Sequence, residues 1–380
     1  MDGSRTRTRL RLDAQRFAAA RCNAELAELD RTQTFNRAGW QAAGEQGLLG
    51  MRVPEQLGGS PRPLAEQLEI LEGFGEGCED NGLLLAIGAQ VWACQSALLG
   101  HASPELQAEL LPGLASGERI ASHAVSEPEA GSDVAAMRTR ARPSEKGYVL
   151  DGDKCWVTNA PIADLHIVFA SSDPELGARG LSAFVVPAES PGLEVRTIEK
   201  MGLNTAQMGA ISLREVEVPR SHRIGAQGQG FTILQDCMAW ERAFLLAPML
   251  GTMTRVMRRC VEQARHRRQF GRALGEFDAV ATPIVEMRLR IEAGRALLDK
   301  VAGRAAAGRS FHELASLVKL HLSEGWQQTC VDAVQLHGAR GYTRELGLER
   351  ELRDAIGSRI FSGTSEIQRR IVAQFMGVGG

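Results

Sequence analysis

The spacing of apolar residues changes twice along this 380-residue chain, and that change constrains the fold more than any single motif. From about residue 10 to 121 apolar residues recur at helical steps, as in Leu26 and Leu29, then Leu64, Leu68 and Leu71. Pro54, Gly58, Gly59, Pro61 and Pro63 divide this zone into separate helices, and Pro104 stands where another begins. From about 122 to 229 short β-rich runs alternate with turn residues: His166–Phe169, Leu181–Val186, Leu193–Arg196 and Ile211–Leu213. Tyr148–Leu150, Asp151-Gly152 and Cys155–Val157 read as a hairpin. After Gly225, Gly228 and Gly230 the helical spacing returns, over about 231–268, 278–307, 311–338 and 364–376. Pro248 removes a hydrogen bond from the first of these and is placed to kink it. Helical, then β, then helical order predicts an α+β protein in three zones, 1–121, 122–229 and 230–380, the middle one an antiparallel barrel or sandwich. No Gly-x-Gly-x-x-Gly follows a strand, which argues against a Rossmann site.

The formal net charge of -2 gives no basic or acidic surplus that would point to nucleic acid or a membrane surface. Arg5, Arg7, Arg9 and Arg11 are not followed by an apolar run, so they do not form a secretory signal; a frayed, solvated terminus is expected. Gly82–Gly100 carries no charge, but its Gln90, Gln95, Ser96 and small residues predict a buried helix, not a membrane span. The 7 cysteines are dispersed singly, with no CxxC or Cys/His spacing. Free thiols in a reducing cytoplasm, and no metal site, are expected.

Leu234, Met238, Glu241 and Leu245 fall at successive i+4, i+3 and i+4 steps, so a carboxylate interrupts an apolar helical stripe. Burial raises a carboxyl pKa and suits it to take a proton from a weakly acidic carbon. The alternative is an ion pair with an arginine that only stabilises helix packing.

Several loops have the chemistry to hold a cofactor, and each also has a plainer explanation. Val125–Asp133 is a polar loop whose hydroxyls and backbone N–H groups suit a polar ring or a phosphate, or simply a turn. Trp156–Thr158 sets a flat ring beside a hydroxyl, or packs in the core. Arg267–Gly271 suits an anion such as pyrophosphate, or is a solvated helix end. Phe361–Glu366 places hydroxyls and a glycine before a helix, where Thr364 binds a ligand or caps the helix.

Taken together and in order, six stretches resemble the acyl-CoA dehydrogenase family. They are Ser126–Asp133, Lys154–Asn159, Arg267–Gly271, Gln335–Tyr342, Leu352–Asp354 and Ser362–Gln368. The resemblance covers nearly the whole chain. It implies a helical N-terminal domain, a middle β domain and a C-terminal four-helix bundle, with FAD bound at a subunit interface of a homotetramer or homodimer. By position, Val125, Ser126, Gly131, Ser132, Trp156, Val157 and Thr158 should meet the flavin half within one subunit. Arg267, Gln269, Phe270, Gln335, Leu336, Gly338 and Ala339 should reach the ADP half from a neighbour, and Thr364 and Glu366 should lie near the cofactor of their own subunit. Ser132, Arg242, Phe361, Ser362 and Gly363 should face the substrate.

The chain departs from the family pattern at two positions. Many members carry the catalytic glutamate immediately before the Gly-Thr of the C-terminal motif, where this chain has Ser362, whose hydroxyl is no comparable base. A minority, isovaleryl-CoA dehydrogenases among them, place the base in a Glu-Arg pair after the β domain, which Glu241-Arg242 matches. The second departure is Ala339, where a second glycine is usual; its methyl should crowd the backbone near the adenine. The implied chemistry is removal of the α-proton by Glu241 and hydride transfer from the β-carbon to FAD, with the thioester carbonyl polarised by the ribityl hydroxyl and by backbone of the Glu-bearing or C-terminal segment.

Trp240-Glu241-Arg242, Asn159–Asp164 and Ile360–Thr364 further resemble dehydrogenases of aminoacyl, notably prolyl, groups on carrier proteins in natural-product biosynthesis. The expected substrate is therefore a thioester on a carrier protein. Alternatives are a branched- or short-chain acyl-CoA dehydrogenase, a flavoprotein scaffold impaired by loss of the base at Ser362, and a flavin monooxygenase. Electron-transfer flavoprotein and molecular oxygen both stand as electron acceptors.

Overall fold

The computed structural model describes residues 3–378, with the side chains of residues 3–6 left aside. The first zone forms helices α1 (Gly3–Arg21), α2 (Leu26–Thr32), α3 (Arg37–Glu45), α4 (Leu64–Gly77), α5 (Asn81–Gly88), α6 (Gln95–His101) and α7 (Pro104–Ser116). The π-helical turn Ala89–Cys94 joins α5 to α6 into one helical run. Asn81–His101 is apolar and long enough to cross a membrane, but 89% of its most apolar stretch is buried inside the protein, as expected of a core helix.

The opening arginines do not mark a frayed end. They lie on α1, which packs on α4, and Arg11 pairs with Glu72 at 2.6 Å and Glu76 at 3.4 Å. Partners more than 60 residues away order this segment. Arg5 falls among the side chains left aside.

The middle zone is one mixed sheet. Its strands are β1 (Ala121–Ala124), β2 (Arg140–Pro143), β3 (Gly147–Thr158), β4 (Leu165–Ser171), β5 (Leu181–Pro187), β6 (Leu193–Thr197), β7 (Met208–Pro219) and β8 (Arg223–Ile224), in the order β6-β7-β3-β2-β4-β5-β8 with β1 on β4. Most pairings are antiparallel, but β1 and β2 both meet β4 in parallel, a departure from the all-antiparallel expectation. The expected hairpin at Asp151-Gly152 is instead a bulge within the single long strand β3, where the register against β7 shifts. The Asp151 carboxylate accepts the Glu215 N–H at 2.8 Å there, so the chain continues straight on instead of turning. Gly152 has a φ of 150°, and a Cβ would lie 2.5 Å from the Thr139 hydroxyl, so only glycine fits.

The last zone contains α8 (Gly230–Phe244), α9 (Met249–His266), the small hairpin β9 (Arg268–Gln269) and β10 (Arg272–Ala273), α10 (Asp278–Ala306), α11 (His312–His337), α12 (Ala339–Tyr342), α13 (Leu348–Gly357) and α14 (Ser365–Phe375). The long helices α8 to α11 form the bundle. The apolar run 231–268 is not one kinked helix. It breaks into α8 and α9 at Leu245–Pro248, where the chain passes under α4. Helices α4 and α9 approach so closely that a Cβ on Gly75 would lie 1.9 Å from the Pro248 carbonyl and one on Gly251 2.0 Å from the Glu72 carbonyl.

Helix α8 sits at the junction of two cores. Ile233, Leu234 and Cys237 pack with α6, α7 and the sheet, whereas Ala243, Phe244 and Leu245 join the core shared by the N-terminal helices and the bundle. Glu241 lies between these segments.

Candidate active site

Glu241 is held near the end of α8, half-buried, with Cys237 one turn before it. The Ser362 hydroxyl donates to Glu241 Oε1 at 2.5 Å. Among the described residues no Lys, Arg or His nitrogen lies within 4.0 Å of this carboxylate, so the alternative of a structural ion pair does not apply. Arg242 instead turns its Nε to the Ser362 carbonyl at 3.3 Å. Burial raises the Glu241 pKa above the usual carboxylate range, offset in part by the Ser362 hydroxyl, Arg242 and Lys319.

The turn carrying Ser362 and Gly363 has positive φ at both residues, 57° and 87°. It is braced through its carbonyls. Lys319 Nζ donates to the Gly363 carbonyl at 2.7 Å, and Gln368 Nε2 reaches both the Gly363 and Ser362 carbonyls, at 2.8 and 3.1 Å. Burial, reinforced by Arg242, lowers the Lys319 pKa to about 8. Neither Lys319 nor Gln368 is among the residues expected from the sequence. Lys319 carries a signal that could have found it: like Glu241, it interrupts an apolar stripe, here Ala315, Val318 and Leu322. Thr364 caps α14 by accepting the Ile367 N–H at 3.3 Å, and Glu366 is exposed in its first turn. Phe361 is half-buried against the helical core.

A second constellation forms on the sheet. Glu127 accepts from the Arg138 N–H at 2.6 Å, the Thr139 N–H at 3.0 Å and Lys154 Nζ at 2.8 Å, and Lys154 also donates to the Val125 carbonyl at 3.0 Å. Burial opposes ionisation of Glu127, but Lys154 and these N–H donors hold its pKa below the ordinary value. The Cys155 N–H bonds the Ser126 carbonyl at 2.9 Å, so the Val125–Ser132 loop is tied to β3 beside Trp156. Trp156 sits at a register shift of β3 with a φ of 56°, which turns its ring outward to 54% exposure. Val157 points into the sheet core, so of this residue only the main chain is available to a ligand.

The remaining candidates lie elsewhere. Arg267, Gln269 and Phe270 are exposed at the β9–β10 hairpin, with Phe270 94% exposed. Gln335, Gly338 and Ala339 are exposed where α11 ends, and Leu336 is half-buried. Among the described residues neither group is hydrogen-bonded to the Ser126 loop or to Glu241. A Cβ on Gly338 would meet nothing within 4 Å, and Ala339 beside it is exposed.

Family models of the acyl-CoA dehydrogenase N-terminal, middle and C-terminal domains match residues 4–118, 122–216 and 228–377. This chain belongs to the acyl-CoA dehydrogenase family. It is 40% identical to the L-prolyl-[peptidyl-carrier protein] dehydrogenase of Pseudomonas fluorescens over 91% of each chain. The crystal structure of the prolyl acyl carrier protein oxidase AnaB superposes with a TM-score of 0.96 at 41% identity, covering 98% of this chain and 99% of that one. The structure of PigA with FAD and proline matches with a TM-score of 0.96 at 35% identity, covering 100% and 99%.

The residues present fit FAD, as membership of a family of FAD-dependent oxidoreductases requires. Among the described residues the hydroxyls of Ser126, Ser132 and Thr158, and the N–H groups of Gly131 and Ser132, make no intramolecular hydrogen bond. With the loop tied to β3 next to the outward-turned Trp156, these groups are a donor set suited to a polar ring system.

Proposed function

We propose that this protein dehydrogenates the α,β bond of an acyl thioester carried on a carrier protein, a prolyl-like group in natural-product biosynthesis, with Glu241 as the base. The observation that carries this is the Glu241 carboxylate, free of ion pairs among the described residues and bonded by Ser362 at the position where many relatives carry their own base. The relatives named above, with their prolyl and carrier-protein names, support the choice of substrate.

Bound FAD supplies the hydride acceptor. Glu241 takes the α-proton, and its raised pKa makes it a stronger base than a solvated carboxylate. The Ser362 hydroxyl fixes the direction of the carboxylate. Arg242, Lys319 and Gln368 hold the Ser362-Gly363 turn in place through its carbonyls. The backbone N–H groups of Ser362 and Gly363, unpaired among the described residues, are the donors available to polarise a thioester carbonyl.

We assign Val125, Ser126, Gly131, Ser132, Trp156, Thr158 and the Val157 main chain to the flavin half of the cofactor. Arg267, Gln269, Phe270, Gln335, Leu336, Gly338 and Ala339 serve the ADP half of a neighbouring subunit in a homotetramer or homodimer. The 94% exposure of Phe270 supports an occupant from outside its own subunit. Electron-transfer flavoprotein or oxygen takes the electrons onward, in a cytoplasm where the 7 free cysteines stay reduced.

The test is anaerobic flavin bleaching by one acyl group on two handles. The carrier-protein thioester should bleach the flavin, and the matching CoA ester should do so far more slowly. Reversal of that preference would make the protein an acyl-CoA dehydrogenase.

A further inference from the structure

Helices α1 and α4 pack along one another, and each is followed directly by a cysteine, Cys22 and Cys78. A Cβ on Gly73 would lie 2.0 Å from the Arg11 carbonyl, and one on Gly77 2.1 Å from the Gln15 carbonyl. The helices therefore touch backbone to backbone and run the same way, which leaves their ends together. Both cysteines are buried, and their thiols are hydrogen-bond partners of one another. The chain on either side is held in the same place. Asn23 Nδ2 donates to the Gly77 carbonyl at 2.9 Å, and the Glu79 N–H donates to Asn23 Oδ1 at 2.8 Å. The Asn36 amide spans the Cys22 carbonyl and the Asp80 carboxylate, 2.9 Å from each.

The two thiols are not equivalent. The hydrogen bond with Cys78, aided by Arg21, lowers the Cys22 pKa, whereas burial pushes that of Cys78 well up. Cys22 is therefore the one that carries thiolate, the form an oxidant attacks. A cleft of about 580 Å³ opens beside the pair. Glu25, Glu28 and Arg350 line it, together with Asn23 and Glu79, the residues that follow the two cysteines.

We propose that Cys22 and Cys78 form a peroxide-sensitive dithiol, which closes to an intramolecular disulfide that locks the end of α1 to the end of α4. At rest both thiols are free. Hydrogen peroxide enters from the cleft when the two Asn23 hydrogen bonds open locally. The Cys22 thiolate attacks one peroxide oxygen, the O–O bond breaks and hydroxide leaves, giving the sulfenic acid of Cys22. The Cys78 sulfur then attacks the Cys22 sulfur. The S–S bond forms, the S–O bond breaks, and the hydroxyl leaves as water with the Cys78 proton. The two sulfurs lose two electrons and peroxide gains them. Small side-chain rotations bring hydrogen-bonded thiols to the S–S length of about 2.05 Å. Peroxide is what oxygen becomes on taking two electrons and two protons, so an enzyme with oxygen as acceptor makes this oxidant itself. None of this chemistry involves Glu241.

The experiment treats the FAD-loaded protein with a modest excess of hydrogen peroxide, blocks the remaining thiols, and maps cysteine peptides by mass spectrometry without reduction. Peptides carrying Cys22 and Cys78 should be joined in at least about half of the molecules, and dithiothreitol should separate them. Because the bond closes the loop over residues 22–78, the Tm of the oxidised protein should rise by at least about 3 °C. Cys22→Ser should abolish both the link and the rise in Tm. The wild-type map needs no variant and decides even if Cys22→Ser fails to fold. Recovery of Cys22 and Cys78 as blocked thiols overturns the inference, as does a link from either one to a different cysteine. A Cys22–Cys78 link that forms only once the protein has been heated enough to release FAD also overturns it. Failure of the dehydrogenase reading shows in flavin bleaching by thioesters, which leaves this map unchanged.

Discussion

Ser362 Oγ and Glu241 Oε1 meet at 2.5 Å although 121 residues separate them in sequence. The turn before α14 and the end of α8 therefore converge on one point, and a carboxylate can reach that point from either side. The serine at the family's more common base position is not a vacant remnant; its hydroxyl holds the carboxylate supplied by α8.

That convergence predicts a relocation. Glu241→Ala should lose turnover, and adding Ser362→Glu should recover at least about tenfold of it, because the new carboxylate reaches the space vacated by the old. Ser362 already carries a Cβ at a φ of 57°, so the longer side chain adds no new backbone strain. Single-turnover flavin reduction checks this, and a double variant as slow as Glu241→Ala would contradict it.

The Ser362 hydrogen bond also sets the pH dependence. Burial raises the Glu241 pKa and the Ser362 hydroxyl pulls it back. A base works only when ionised, so activity rises with pH through this pKa. Ser362→Ala removes the lowering contribution, and the acidic limb of the kcat/KM profile should move to higher pH. An unmoved limb, or one moved to lower pH, would contradict the assignment.

Much of this site was legible in the sequence because its signals are local. Glu241 stands out on a stripe of Leu234, Met238 and Leu245, and the six loop motifs are contiguous. What was not legible depends on distant partners. Arg11 reads as part of a loose basic end until Glu72 and Glu76 are set beside it. Asp151-Gly152 has the composition of a hairpin turn, and only the N–H of Glu215 on β7 shows that it is a bulge. Trp92 looks like any core aromatic until the π turn brings it to Trp240.

The buried Glu127–Lys154 pair should matter to cofactor retention more than to chemistry. Lys154→Met leaves the Glu127 carboxylate buried without its cation, which typically costs about 3–5 kcal/mol. The Tm should fall and FAD should be lost more readily on gel filtration. Adding Glu127→Gln removes the second charge and should restore part of the Tm. A double variant less stable than the single one would contradict this account of the loop anchor.

The most direct test of the central claim is the rate of anaerobic flavin bleaching in Glu241→Gln, an isosteric change that removes the base and keeps the fold. With FAD occupancy equal to wild type and a saturating carrier-bound thioester, bleaching should slow by about a thousandfold or more. Bleaching of Glu241→Gln at the wild-type rate would show that another group takes the α-proton.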